Sequence, residues 1–393
     1  MKRMKHIIAT LGCLTLLFFS SCVEEFNAQL PESDSNLLIV DGNIISDSTC
    51  VFTLSRSFSL NEEGIPEDYN QVKADICVKG SDGSLYTGSS LGNGQYRIHI
   101  GTLNPQHTYQ LEIQWEGDTY TSTPQQPMAT EDLSLKFSQP DGEGPVHVHL
   151  STEAPSNNET AYYIWNYIED WEIRTVFRST AEYDLDNDKI IEYDNPPYAQ
   201  GWVHRLSKDI LINSTANFND NHLKDKILYS INNEDVRLSH LYSTFVVQRR
   251  ISKGEYEYYQ CKERFTNDMG GLFTPQPSEL PTNLTCSDKN KRVIGYVGVN
   301  QNVSIKQLYI PTTEVNYVQN YKCNEKEESE LLASLSQMGI KDREGLYYYG
   351  YRISYYMSIP MVPPIINWAE YKCVDCRAFG ADPNGRPDFW PDF

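Results

Sequence analysis

The sequence predicts a mainly β protein: an immunoglobulin-like or transthyretin-like sandwich over residues 37–127, followed by a larger β-rich domain with a few short helices. Two observations support this fold class. Apolar and polar residues alternate along short segments such as 96–100 and 109–115, which is typical of strands with one buried face. The pairs Asp82-Gly83 and Asn93-Gly94 separate such segments and are typical of hairpin turns, because these turns need residues that tolerate positive φ.

The remaining residues, 128–393, continue the β pattern and form the second predicted domain. Two segments within it carry apolar residues at helical spacing, namely 253–268 and 327–338. Gly339 directly follows the second segment and is placed to end that helix. We therefore expect two short helices among the strands.

Composition and charge exclude several classes of protein. The chain has 393 residues, of which 39% are hydrophobic and 22% are charged, a balance typical of globular proteins. The formal net charge is −20, which argues against binding to nucleic acid and against binding to anionic lipid through basic patches. A mean hydropathy of −0.52 argues against a polytopic membrane protein.

The first 21 residues predict a secretory signal peptide. A basic start at Lys2 and Arg3 leads into an apolar run over residues 7–19, which is too short to span a bilayer comfortably. The small pair Ser20-Ser21 then precedes Cys22, and this order resembles the lipobox of bacterial lipoproteins. The resemblance implies cleavage before Cys22, acylation of that cysteine, and attachment to outer-membrane lipid.

The residues after Cys22 predict an extended tether and an export signal. Residues 22–36 read as an extended segment between the lipid and the first strand. The acidic pair Glu24-Glu25 resembles the export signal of Bacteroidota lipoproteins, which implies the outer face of the outer membrane. Since two or three acyl chains anchor a protein firmly, we expect a lipid-anchored protein that faces the cell exterior.

Seven cysteines follow Cys22. Because an exported protein is in an oxidising environment, these cysteines can form disulfides. They are Cys50, Cys77, Cys261, Cys286, Cys323, Cys373 and Cys376. An odd count leaves at least one thiol free. Cys50 and Cys77 both lie in the first predicted domain, so we expect a bridge between them. The pairing of the others stays open. Cys373-Val-Asp-Cys376 has the spacing of a redox motif, yet a disulfide role is favoured because no strand-to-helix setting surrounds it.

Three motifs suggest chemistry, and each has a simpler structural interpretation. Gly88-Ser-Ser-Leu-Gly92 matches G-x-S-x-G, but it lies between two predicted turns with no helix after it. His147 and His149 share one face of a predicted strand, yet a zinc site needs a third ligand. Asp184-Leu-Asp-Asn-Asp188 has the start of a calcium loop but has Lys189 in place of the required glycine. We expect no catalytic residue, metal or cofactor, and the binding of calcium at 184–188 stays open.

The C-terminal tail, residues 380–393, is rich in Pro, Gly and Asp but carries the aromatic pair Phe389-Trp390. A free tail of this composition would leave both rings in solvent. We therefore expect this pair to dock onto the second domain, with contact to a partner or ligand as the alternative.

Several segments together resemble one family of outer-membrane lipoproteins, the domain of unknown function 4249. They are 38–44, 51–56, 270–278, 293–298, Cys373-Val-Asp-Cys-Arg377 and Pro387-Asp-Phe-Trp390. Gly380-Ala381 stands where the family usually has two glycines. Members are often encoded beside TonB-dependent receptors, and the resemblance carries over no catalytic residue. It implies a non-catalytic accessory or ligand-binding partner of a TonB-dependent barrel, with an unknown ligand. A structural or adhesive surface protein is the alternative.

Overall fold

The computed structural model describes residues 36–58, 68–156, 159–218, 220–267 and 280–392. The predicted signal peptide, the predicted lipid acceptor Cys22 and the 270–278 motif lie outside the described residues. Among the described residues the secondary structure is mainly β with a few short helices, which confirms the predicted mainly β class.

The first eight strands run through residue 122. They are β1 (Leu38–Asp41), β2 (Ile44–Ile45), β3 (Ser48–Arg56), β4 (Asp75–Gly80), β5 (Leu85–Gly92), β6 (Gln95–Ile100), β7 (Tyr109–Trp115) and β8 (Asp118–Ser122). The two predicted hairpin turns join β4 to β5 and β5 to β6. Gly83 has φ of 84° and Gly94 has φ of 70°, so both turns use the backbone freedom that predicted them.

Sixteen further strands lie among the described residues beyond 122. They are β9 (Leu133–Ser138), β10 (Val146–Thr152), β11 (Tyr162–Arg174), β12 (Ala181–Asp184), β13 (Lys189–Glu192), β14 (Gln200–Leu206), β15 (Leu211–Ser214), β16 (Lys226–Ile231), β17 (Leu241–Ile251), β18 (Leu284–Cys286), β19 (Val293–Gly295), β20 (Val299–Asn300), β21 (Ser304–Pro311), β22 (Glu325–Glu327), β23 (Tyr351–Ile359) and β24 (Val362–Glu370).

The described part of the chain has four α-helices: α1 (Lys253–Asn267), α2 (Glu328–Leu335), α3 (Arg343–Tyr348) and α4 (Tyr371–Val374). The first two lie where the spacing predicts helices. A 3-10 turn, Ser336–Met338, extends α2, and Gly339 ends it with φ of 84°, as predicted. Further 3-10 turns are Pro140–Gly142, Val236–Leu238, Thr312–Glu314 and Cys376–Phe379.

The first sandwich has the strand order β18-β8-β7-β4-β5-β6-β3-β1-β19. Strand β5 changes partner along its length: Thr87 pairs with β4, and Gly88 pairs with β6. A Cβ atom on Gly88 would lie 2.4 Å from Cγ2 of Ile76. Because only glycine avoids that clash, Gly88 allows the chain to cross between the two halves of the sandwich.

Strands from the second half of the sequence complete this first sandwich. Strand β19 pairs in parallel with β1, and β18 pairs with β8. Leu284, Val293 and Val299 are buried in the same apolar cluster as Phe52 and Leu111. The segment 37–127 therefore shares both its sheet edges and its core with residues 284–299.

The second layered unit packs two sheets face to face. One sheet has the order β14-β11-β17-β21, with β15 also paired to β11, and the other has the order β16-β10-β9. Val148 of β10, Trp171 of β11 and Tyr242 of β17 belong to one buried cluster between them. The long strand β11 is central, since it pairs with three others.

A third, smaller unit combines the sheet β22-β24-β23 with helices α2 and α3. Trp368 is fully buried in its core together with Leu331 and Leu346. Met338, which ends the 3-10 turn after α2, is 66% exposed and lies outside this core. The hairpin β12-β13 adds Tyr183 to this core.

Candidate functional site

The tip of the β23-β24 hairpin is the most exposed apolar feature of the described residues. Met361 is fully exposed, and Val362, Ile359 and Ile365 are 56%, 50% and 44% exposed. Every residue from 358 to 365 is exposed. Because neighbouring residues in a strand point to opposite faces, both faces of the tip are open to solvent. The tip therefore stands out from the body of the molecule.

The hairpin carries no charge. From Ile353 to Ala369 the sequence contains no Asp, Glu, Lys, Arg or His, although charged residues make up 22% of the chain. A contiguous exposed apolar surface on a soluble protein marks an interaction site. The uncharged hairpin tip, residues 358–365, is therefore the candidate functional site.

The base of this hairpin is firmly held. The indole N–H of Trp368 donates to Oε2 of Glu328 at 3.0 Å, and Arg343 donates to both oxygens of the same carboxylate at 2.9 and 3.1 Å. Ser179 donates to the backbone carbonyl of Ile353 at 2.6 Å. These bonds fix the hairpin to α2, α3 and the preceding chain, so the tip is presented on a rigid support.

Prolines limit how the tip can bind. Strand β24 pairs with β22 only through residues 367–369, so its outer edge near the tip has no partner strand among the described residues. Pro363 and Pro364 lie on that part of β24 and lack the N–H groups that an added strand would use. The tip is therefore suited to contact through its side chains and not through sheet extension.

The candidate cysteines form one disulfide. Cys323 and Cys373 are bonded, whereas Cys50, Cys77 and Cys286 are free thiols. The expected Cys50–Cys77 bridge is absent from the structure. Cys50 faces the core of the sandwich, while Cys77 lies between buried Ile76 and Val78 and so points to the outer face of β4. Strands β5 and β6 also separate the two positions.

The Cys373-Val-Asp-Cys376 motif is not a redox pair in the structure. Cys373 bonds to Cys323, and Cys376 is a buried free thiol. Burial raises the pKa of Cys376 to about 11, with Asp375 contributing next. The thiol is therefore protonated at neutral pH and is a poor nucleophile.

The G-x-S-x-G motif lies within strand β5, and its serines have structural contacts. Ser89 donates to the backbone carbonyl of Arg97 at 3.4 Å, and Ser90 accepts from the amide of Gly92 at 3.2 Å. Strand β5 leads directly into β6 with no helix between them. The nucleophile elbow needs a strand-to-helix turn, so this segment does not have that geometry.

The histidine pair and the acidic segment also have structural contacts. His147 is 2.7 Å from the hydroxyl of Ser230, and His149 is 2.7 Å from that of Ser138. Asp184 begins the β12-β13 turn, where its carboxylate accepts from the backbone amides of residues 186 and 187 at 3.0 and 3.3 Å. Within the described residues no group of three or more His, Cys, Asp or Glu side chains is arranged to hold a metal ion.

Sequence reasoning missed three buried carboxylates on β11. Glu169, Asp170 and Glu172 are each only 1% exposed. Glu169 accepts from Arg237 at 2.6 Å, and Asp170 lies 2.8 Å from His204. A signal was present in the run 168–174, where acids interrupt a strand that is otherwise apolar on both faces. Since each acid has polar partners, the group ties β11 to its neighbours.

The tail docks as predicted through Trp390. This residue is 5% exposed and packs with Trp202 and Leu241. Its indole N–H donates to Oε2 of Glu172 at 3.0 Å. Phe389 stays 40% exposed, edge-on to Phe245 at 4.7 Å between ring centroids. The tryptophan therefore provides most of the docking.

In the described part of the chain, no helix combines the length and apolar character that crossing a membrane requires. Comparison with curated proteins finds no match to this chain. The sequence model of one family, "Domain of unknown function (DUF4249)", matches residues 23–306. The match ends before the closing motif at 373–390 and covers more than half of the 393 residues. The chain therefore belongs to the DUF4249 family, as the sequence motifs predict.

Proposed function

We propose that this protein is a lipid-anchored accessory protein of the outer membrane that binds a TonB-dependent transporter through the uncharged hairpin tip. The observation that carries the proposal is the tip itself, which presents Ile359, Met361, Val362 and Ile365 to solvent on a rigid base. Burying a fully exposed side chain of this size, such as Met361, contributes about 1.5–3 kcal/mol, and each of the other three, which are about half-exposed, contributes roughly half as much. Four together are enough for a specific contact.

A protein surface is a better occupant of the tip than a lipid surface. Membrane-binding loops of peripheral proteins combine apolar residues with basic ones that meet anionic headgroups. The hairpin from Ile353 to Ala369 has no basic residue, and the chain as a whole carries a net charge of −20. An apolar patch on a partner protein complements the tip without a charge requirement.

The test is affinity co-purification of the full-length protein from detergent-extracted outer membranes of its native cells. We expect a transporter barrel in the eluate of the wild type. Met361→Glu should reduce its recovery at least tenfold, because a charge would have to be desolvated at the contact. Leu85→Glu is the matched control, since Leu85 is 60% exposed but lies on the first sandwich.

The lipid anchor and the hairpin contact are tested by different variants, so one can be contradicted without the other. Cys22→Ala should abolish acyl labelling and release the protein from the membrane; persistent labelling would contradict the anchor. Equal recovery of a barrel with wild type and Met361→Glu would contradict the hairpin contact. Absence of any barrel, combined with adhesion lost in cells that lack the protein, would favour the adhesive alternative.

A further inference from the structure

Two acidic segments lie at the base of the uncharged hairpin. They are residues 181–194, which contain the β12-β13 hairpin, and residues 325–344, which run from β22 to the start of α3. Together they have twelve Asp and Glu residues against four Lys and Arg residues, a net charge of −8. Since the whole chain has a net charge of −20, these two short segments carry a large share of it. We call them the acidic collar.

The acidic collar flanks the hairpin on both of its edges. On the β23 edge, the backbone amide of Tyr356 donates to the hydroxyl of Thr180 at 2.7 Å, and Thr180 directly precedes β12. On the β24 edge, Glu327 of β22 pairs with Asn367. The β12-β13 hairpin and β22 are therefore held against opposite sides of the strands that carry the tip.

The two collar segments meet in a surface depression of about 470 Å³. Its charged lining consists of Asp188, Glu328, Lys341, Asp342, Arg343 and Glu344. Because Arg343 pairs with Glu328 at 2.9 Å, Lys341 is the one cation of the lining that faces the three other carboxylates. Excess negative charge is therefore present where the segments join.

The charge of the collar is at the surface and close to the tip. Nine of its twelve acids are exposed, against three of its four bases. Ile365 lies two residues from Asn367, which is about 7 Å along an extended strand. The Debye length is about 8 Å at physiological ionic strength. A partner that contacts the tip is therefore within reach of the negative field of the collar.

We propose that the partner surface for the hairpin tip is an apolar cleft bordered by lysine and arginine side chains. This inference rests on the proposed contact at the tip and adds a charge requirement to it. The apolar side chains of residues 358–365 fill the cleft, and the bordering cations face the acidic collar. Charge complementarity of this kind speeds association and rejects wrong partners. An apolar cleft with an acidic border would be repelled.

The probes for this requirement are two synthetic amphipathic helices with the same leucine face, one with lysine and the other with glutamate on its polar face. Fluorescence anisotropy measures their binding to residues 23–393, which include every described residue. We expect the lysine helix to bind and the glutamate helix not to bind. Raising NaCl from about 50 to about 500 mM should weaken binding of the lysine helix about tenfold, because salt screens exposed charges. Equal binding of both helices would overturn the proposal.

Two triple variants separate the collar from the overall charge. The collar variant combines Glu192→Gln, Glu327→Gln and Glu344→Gln. The control variant removes the same charge at exposed positions of the first sandwich and combines Asp41→Asn, Asp75→Asn and Glu116→Gln. The collar variant should bind the lysine helix about tenfold more weakly than the wild type, and the control variant within about twofold of it. Equal losses in the two variants would overturn the proposal, because binding would then follow net charge alone.

The tip must contribute to the same binding. Met361→Ser leaves every charge in place and should weaken binding of the lysine helix at least threefold, because an exposed apolar side chain is lost from the contact. Unchanged affinity would show that the helix binds the collar without the tip, which contradicts the proposal.

Co-purification distinguishes this inference from the proposed function. The collar variant should recover at least threefold less transporter barrel than the wild type, and the control variant an equal amount. A barrel recovered equally by the wild type and the collar variant would overturn the charge requirement and leave the hairpin contact standing. Absence of any barrel with the wild type would contradict the proposed function, while the helix probes still decide the charge requirement.

Discussion

Glu172 joins three separate parts of the chain through one carboxylate. Its Oε2 accepts from the indole of Trp390 at 3.0 Å, and its Oε1 accepts from Gln200 and Arg174, both at 2.5 Å. A carboxylate that is 1% exposed is tolerated in a fold only when such bonds replace its hydration. The end of the chain is therefore part of the polar network of β11.

Replacing Trp390 should destabilise the fold through both packing and this hydrogen bond. We expect Trp390→Ala to lower the free energy of unfolding by about 3–5 kcal/mol, as large-to-small changes in a core do. Phe389→Ala is the matched control and should cost much less, because Phe389 is 40% exposed. Urea unfolding of the soluble chain measures both. Equal losses from the two variants would contradict the dominant role of Trp390.

His240 makes stability depend on pH. Burial is the largest influence on this side chain and lowers its pKa, although Glu172 opposes the shift. The unfolded state therefore takes up a proton at a higher pH than the folded state does. As the pH falls through about 6.5, the ordinary histidine value, the free energy of unfolding should decrease.

His240→Gln should remove that part of the pH dependence. We expect a flatter slope of unfolding free energy between about pH 7.5 and 5.5 than in the wild type, since carboxylates titrate mainly below this range. A slope that is unchanged by His240→Gln would show that other groups set the pH dependence.

At the scale of elements, local signals predicted local structure. The turns at Gly83 and Gly94, the two helices and the end at Gly339 follow from spacing and backbone chemistry within a few residues. The uncharged hairpin was not predicted as a site, although the charge-free run 353–369 was visible. Exposure decides whether such a run is core or contact surface, and it depends on which elements pack around it.

The Cys323–Cys373 bond closes a loop between residues 50 positions apart. In chain-entropy terms such a cross-link stabilises the folded state by about 4 kcal/mol. The double variant Cys323→Ser, Cys373→Ser should therefore melt at a lower temperature in calorimetry. Cys261→Ser, at a free and half-buried thiol, should not. Non-reducing peptide mapping that finds Cys373 linked to any other cysteine would contradict this pairing.

At the scale of the molecule, the two halves of the sequence are interleaved. Strands β18 and β19 are the two edge strands of the first sandwich, although the sequence predicts that this sandwich ends at residue 127. Sequence reasoning could not find this arrangement, because each strand has three residues and pairs with a segment more than 150 positions away. Local alternation gives the faces of a strand, but the choice of a distant partner depends on the whole fold.

Leu284 tests the interleaving. It is 3% exposed in the core of the first sandwich, so Leu284→Asp should bury an unpaired charge and destabilise that sandwich by several kcal/mol. Hydrogen exchange in β8 should accelerate, although β8 ends at Ser122. Thr285→Asp is the control, because the neighbouring Thr285 side chain is exposed. Acceleration confined to residues near 284 would contradict a shared core.

The position of β1 between β3 and β19 has a mechanical consequence. Leu38 pairs with Arg56 on one side and with Val293 on the other, directly after the point where residues 22–36 lead into the fold. A pull on that leading segment, along the axis of β1, loads the hydrogen bonds of both neighbouring ladders in shear at the same time. Bonds loaded in shear break together and not one after another, so the two ladders of β1 resist tension that is applied through the segment before it.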